Sequence, residues 1–79
     1  MTVILESYTN GEINADIQQE KYSNIYELDM YDNDGHNVYR YTYLTIPDAR
    51  RAMRRQYKNN FGGLKEVIKT SDWKNEHGH

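Results

Sequence analysis

Three groups of residues have types and spacings that could do chemistry. The first is "DARRAMRRQYKNN", residues 48 to 60, which gathers Arg50, Arg51, Arg54, Arg55 and Lys58. Clustered cations of this kind neutralise phosphates and bind nucleic acid through counterion release. The second is "MYDNDGHNVY", where Asp32, Asp34 and Gly35 match part of the acidic pattern of a calcium loop. That pattern breaks at its anchors: the first ligand position holds Met30 and the twelfth holds Tyr41, so a hairpin turn accounts for the glycine more simply. The third is histidine, with His36 in that turn and His77 and His79 at the end of the chain, too scattered to form a preorganised metal set.

Enzymatic constellations are not visible. There are no cysteines, which removes a thiol nucleophile, thiolate metal ligands and a disulfide framework. No glycine-rich phosphate loop occurs, and no nucleophile stands at a recognisable spacing from a base. Glu6 is the one carboxylate expected on a core-facing position, and an ion pair with Arg50 or Arg54 is its plain account. The expectation is a chain without catalytic residues, metal or cofactor.

Two hairpins and a helix must position these side chains. "TVILESYTNGEINADIQ" flanks Asn10-Gly11, which favours a two-residue turn and would set Tyr8 opposite Ile13, Glu6 opposite Ala15 and Ile4 opposite Ile17. In "IYELDMYDNDGHNVYRYTYLT", a loop at Asp34-Gly35 sets Met30 against Tyr39, Leu28 against Tyr41 and Tyr26 against Tyr43. Asp29 then meets Arg40 and Glu27 meets Thr42, so all polar pairs share one face, and a one-residue slip would set charges against tyrosines. Tyr39, Tyr41 and Tyr43 are therefore expected in the core. "TIPDARRAMRRQYKNNFGG" predicts a helix over residues 46–61, with Thr45 as N-cap and the glycines at its end. Its apolar stripe is Ile46, Ala49, Met53, Tyr57 and Phe61, with the five cations beside it and Ala52, Gln56 and Asn59 on the other flank. "LKEVIKT" suits a short edge strand better than a helix. The predicted fold is α+β: an antiparallel sheet of four strands, or five with that segment, and one helix across one face. Residues 1–70 form its one domain, followed by a mobile tail, 71–79, in which Trp73 folds back on apolar surface if any residue does.

Charge then distinguishes the surfaces. Residues 1–36 hold eight acidic side chains against Lys21 alone, whereas residues 37–79 hold nine basic against four acidic. The five cations of the helix occupy one arc beside its apolar stripe. The sheet face turned away from the helix carries Asp16, Glu27, Asp29 and Arg40, together with Val3 and Leu5. An acidic sheet cannot serve as the stacking platform of RNA-binding sheets, which need exposed aromatics and positive charge. A patch mixing acidic and exposed apolar side chains fits a protein partner better, and Val3, Leu5, Asp16, Glu27 and Asp29 are the candidate contact residues. Nucleic acid held by Arg50, Arg51, Arg54, Arg55 and Lys58 is the alternative, and a second copy of the chain is another occupant for Val3 and Leu5.

A mean hydropathy of -1.07 would suit disorder, but eight tyrosines supply buriable ring surface, and a folded domain is expected. The start "MTVILESYTNG" lacks a basic leader and has too short an apolar run for a signal peptide or membrane span, so a cytoplasmic location is expected. "LESYTNGEINADI", "DNDGHNVYRY" and an alanine- and arginine-bearing helix before "FGG" together resemble small proteins encoded by tailed phages, those infecting cyanobacteria among them. The resemblance implies an accessory protein, in the host cytoplasm, that binds and redirects or inhibits a host protein. It implies no catalytic residues.

Overall fold

The computed structural model of the chain describes residues 2–20, 23–64 and 66–70. The elements run β1 (Thr2–Thr9), β2 (Ile13–Glu20), β3 (Tyr26–Asp32), β4 (Asn37–Tyr43), α1 (Ile46–Asn60) and β5 (Ile68–Lys69). All five strands form one antiparallel sheet in the order β4-β3-β2-β1-β5, with α1 on one face. The α+β expectation holds, and the segment at 64–70 does supply the fifth, edge strand. The tail 71–79, with Trp73, lies outside the described residues.

The β3–β4 register is the expected one from Tyr26↔Tyr43 to Met30↔Tyr39. The turn that produces it differs. The Asp32 N–H donates to the His36 carbonyl and the Gly35 N–H to the Asp32 carbonyl, each at 3.0 Å, with Gly35 at φ 85°. That closes a three-residue loop, and a bulge at Val38 restores the pairing beyond it.

The first hairpin departs further. Tyr8 pairs with Ala15 and Glu6 with Ile17, two residues from the expected register. The Asn10 side chain is the cause: its Oδ1 accepts the N–H groups of Glu12 and Ile13 at 2.9 and 2.8 Å, and its Nδ2 donates to the Phe61 carbonyl at 2.8 Å. A side-chain turn thus replaces the tight backbone turn. A shift of two preserves the faces, so Glu6 and Tyr8 still lie on the helix side. A bulge between Ile4 and Glu6 then inverts the alternation for the start of β1. Ile4 pairs with Gln18 on the open face, while Val3, opposite Gln19, turns to the helix side.

The core is Ala15, Ile17, Leu28 and Met30 from the sheet against Ala49, Ala52, Met53 and Tyr57 from α1. Thr45 caps the helix, its Oγ1 accepting from the Asp48 N–H at 3.2 Å, and the Gly63 N–H donates to the Tyr57 carbonyl at 2.7 Å beyond the last turn. Ala52, expected on the flank of the stripe away from the cations, is buried, whereas Ile46 and Phe61 are only half-buried. The buried arc thus turns towards the side of Ala49 and Ala52. Tyr57 reaches through the core, its hydroxyl donating to the Ile13 carbonyl at 2.7 Å.

Tyr41 is also a correction: it is 61% exposed, whereas Tyr39 and Tyr43 are half-buried against the core. One helix is about 10 Å wide with its side chains. A five-stranded sheet spans roughly 19 Å across its strands, so one helix cannot cover it to both edges. No helix among the described residues is long and apolar enough to cross a membrane.

Candidate functional site: the open sheet face

The face away from α1 is organised in rows that cross the strands. One row reads Ser7, Asp16, Asp29, Arg40, and the next reads Ile4, Gln18, Glu27, Thr42. Asp16 and Asp29 are direct cross-strand neighbours, an arrangement of like charges that costs stability unless donors compensate it. Donors are supplied. Asp16 accepts from the Ser7 hydroxyl at 2.7 Å and from the Tyr31 hydroxyl at 3.0 Å. Asp29 accepts from the Asn37 amide and lies 3.6 Å from Arg40 Nη2. Glu27 accepts from Gln18 Nε2 at 2.7 Å and lies 3.9 Å from Arg40 Nε. Burial, together with the hydrogen bond to Asp16, pushes the Tyr31 hydroxyl up to about 12.

Asp16, Glu27 and Asp29 thus share Arg40 as the one cation of their rows among the described residues, and there the face is net negative. At the end of the second row the surface dips into a cleft of about 220 Å³ whose walls include Gln18, Glu20, Glu27 and Thr42, with Ile25 on its apolar side. A carboxylate wall beside an isoleucine matches a lysine or arginine side chain, which has a cationic head and an aliphatic stem.

Of the expected contact residues, Asp16, Glu27 and Asp29 are brought together here, and Leu5 is the bulge residue of β1, without a cross-strand partner in the register. Val3 does not join them, because the bulge turns it away and puts Ile4, 39% exposed, in its place. Tyr31 and Ile25 are not among the residues the sequence assigns to this face, and Gln18 is expected on it but not as a contact residue. Tyr31 was legible, since it alternates in phase with Glu27 and Asp29. Ile25 lies before β3, where alternation carries no information.

The arginine-rich helix is partly committed elsewhere. Arg50 forms a two-pronged ion pair with Glu6, Nε donating to Oε1 at 2.9 Å and Nη2 to Oε2, while the Tyr8 hydroxyl donates to the same Oε1 at 2.7 Å. Glu6 is 7% exposed, and the Arg50 hydrogen bonds outweigh burial, holding its carboxyl down at about 2. The same pair raises the Arg50 guanidinium, and burial with the Glu6 contact pushes Tyr8 up to about 12. Arg51 bonds Asp48 within the helix. Arg54, Arg55 and Lys58 are exposed and make no ion pair among the described residues. A smaller cleft of about 150 Å³ runs between Arg54, Met53, Tyr8 and Lys69, under the helix's β5 side.

The β3–β4 turn brings ligand atoms of Asp32, Asp34 and His36 within 4.8 Å of one another, a grouping that the reading of the histidines did not include. The turn itself accounts for the grouping. Asp32 Oδ1 accepts the N–H groups of Asp34 and His36 at 3.0 and 2.9 Å, and these backbone bonds lower its carboxyl pKa. Asp34 and His36 are exposed, and His77 and His79 lie outside the described residues.

Comparison with protein-family models, curated proteins and solved structures returns no match.

Proposed function

We propose that this chain is a non-catalytic binding protein that takes a basic segment of another protein on the open face of its sheet. The observation that carries the reading is the row in which Asp16 and Asp29 stand side by side, next to the cleft walled by Glu27. A surface serving only solubility gains nothing from abutting like charges, whereas a preorganised negative face attracts and orients a cationic partner. On the resemblance to tailed-phage accessory proteins, that partner is a host protein and binding modulates or inhibits it.

The test is an amide-shift titration with a short peptide alternating lysine or arginine with apolar residues, at low and moderate salt. Shifts should concentrate on Ser7, Asp16, Gln18, Glu27, Asp29 and Thr42, and Glu27→Lys with Asp29→Lys should weaken binding at least tenfold. Shifts confined to α1, or none at low salt, would sink the proposal.

A second reading keeps one supporting observation: Arg54, Arg55 and Lys58 form an exposed cationic strip with no ion pair among the described residues. On this reading nucleic acid lies along the helix, and affinity falls steeply with salt. Absence of binding to duplex and single strands at low salt eliminates it.

A further inference from the structure

The two edges of the sheet are built differently. Beyond β1 the sheet ends in the two-residue β5, with Lys69 on it and the β1 bulge at Leu5 nearby. A very short strand, a lysine and a bulge are the devices that discourage edge pairing. At the other edge β4 runs seven residues, Asn37–Tyr43, as the outermost strand, and contains neither proline nor lysine. Its one irregularity, at Val38, lies at the hairpin end and leaves Tyr39–Tyr43 in regular register. Along and just past this edge stand Val38, Tyr41 and Leu44, 40%, 61% and 77% exposed. Every second N–H and C=O of an outer strand points away from its neighbour and is open to another strand.

We infer that β4 pairs antiparallel with β4 of a second copy of this chain, about a two-fold axis at Tyr41, joining the two sheets into one. The side chains select both the occupant and the register. Any register that sets tyrosines against Arg40 and Thr42 would mix the two faces and is excluded by the pleat. Of the registers that keep the faces, an axis at Arg40 sets guanidinium against guanidinium, and an axis at Thr42 sets Arg40 against Leu44 of the second copy. An axis at Tyr41 does neither. It sets Tyr41 against its own copy and Tyr39 against Tyr43 of the second copy, twice by symmetry, extending an aromatic row in which Tyr41 and Tyr43 already meet edge to face at 5.4 Å.

Charge complementarity points the same way. In this register Arg40 lies beside Thr42 of the second copy, whose cross-strand neighbour is Glu27. The Arg40 side chain is 57% exposed, with only the 3.6 and 3.9 Å contacts to its own Asp29 and Glu27, so it is free to reach the second copy's Glu27. The symmetry repeats that contact. An arbitrary extended peptide would satisfy the backbone of β4, but it would not supply a matching tyrosine row on one face and an arginine–glutamate match on the other. The isologous fit is what a two-fold dimer requires.

The experiment needs no ligand, so its outcome is separate from that of the proposed binding function. Sedimentation from low micromolar to submillimolar concentration should show a reversible monomer–dimer equilibrium. Tyr41→Lys, which places two lysines at the axis, and Arg40→Glu should each raise the dissociation constant at least tenfold while far-UV circular dichroism stays unchanged. Both sites are solvent-exposed, and either variant suffices if the other fails to fold. Because the chain has no cysteine, Tyr41→Cys should give an oxidised covalent dimer at least tenfold faster than Asn59→Cys on the exposed helix. A monomer at every concentration overturns the inference. So does a dimer indifferent to both substitutions with equal cross-linking rates, or a monomer whose β4 amides respond only to an added foreign peptide.

Discussion

The ion pair between Glu6 and Arg50 should make this protein acid-sensitive in a way that one substitution removes. Glu6 is almost fully buried, its folded-state pKa of about 2 lying well below its ordinary value of 4.5. A carboxylate whose folded pKa is depressed stabilises the fold fully above its unfolded pKa, and that contribution is lost as pH falls towards the folded value. The window is therefore from about pH 5 down to about pH 2. The shift corresponds to about 3 kcal/mol, and because the Arg50 side chain is half-exposed, water screening brings the working figure nearer 2 kcal/mol. The perturbation is Arg50→Met, which keeps the stem of the side chain but strands the carboxylate among Tyr8 and the core. It should cost about 2 kcal/mol or more at neutral pH, a fall of roughly 10 °C in Tm for a domain this small. Glu6→Gln should cost less, because an amide needs no counter-charge, and it should flatten the pH dependence. The assay is urea unfolding of the parent, Arg50→Met and Glu6→Gln chains at several pH values across the window. Other carboxylates titrate there too, so the difference between the parent and Glu6→Gln is the quantity read. Parallel pH profiles for those two chains, or a loss from Arg51→Met equal to that from Arg50→Met, would refute the reasoning.

Alkaline titration followed by tyrosinate absorbance should find at least four of the eight tyrosines late to ionise. Burial and hydrogen bonding raise Tyr8 and Tyr31 to about 12 and also raise Tyr43, and burial with the nearby Tyr31 and Asp16 raises Tyr57. Complete ionisation of all eight in one step near the ordinary value would contradict their burial. Asn10→Ala removes the two accepted bonds that close the first turn and the one donated bond that ties it to Phe61 just past α1. It should cost about 1–2 kcal/mol in urea unfolding, and a change within about 0.5 kcal/mol would mean the side-chain turn is not what holds the loop.

Which parts of this were legible in the sequence follows from where its residues discriminate. The β3–β4 register was legible because tyrosines alternate with charges, so one pairing satisfies both faces and its neighbours do not. The start of β1 was not, since Val3, Ile4 and Leu5 are all apolar and either alternation is acceptable; nothing in them announces the bulge that exchanges Val3 for Ile4. The Asn10-Gly11 turn was misjudged because the dipeptide reports backbone tolerance, not the hydrogen bonds that Asn10 makes with its own side chain and with Phe61. Ala52 falls beside the expected apolar stripe rather than in it, because alanine is equally at home buried or exposed and does not mark the edge of the buried arc. Tyr41 was placed on the correct face, but a face pattern does not say how far one helix extends over it. The ion pair of Glu6 was readable for the opposite reason: a carboxylate at a core-facing position has few partners, and an arginine at the start of the helix is within reach.

Arg40 connects the two proposed surfaces and separates them experimentally. It is the lone cation of the open face among the described residues and also sits at the edge where the second copy would dock. In the dimer it would reach Glu27 of the second copy; for a basic ligand it is the one side chain of the wrong sign. Replacing it with glutamate should therefore act in opposite directions. Dimerisation weakens, because the contact with Glu27 becomes a repulsion repeated by symmetry. Capture of a lysine- or arginine-rich peptide by each protomer strengthens, because the row through Asp16 and Asp29 loses its only compensating charge. Opposite signs from one substitution cannot arise from general destabilisation, which would reduce both. If Arg40→Glu lowered the affinity for that basic peptide while the fold stayed intact, the attraction of the open face for cationic partners would be refuted, and the exposed strip of Arg54, Arg55 and Lys58 would be the surface to pursue.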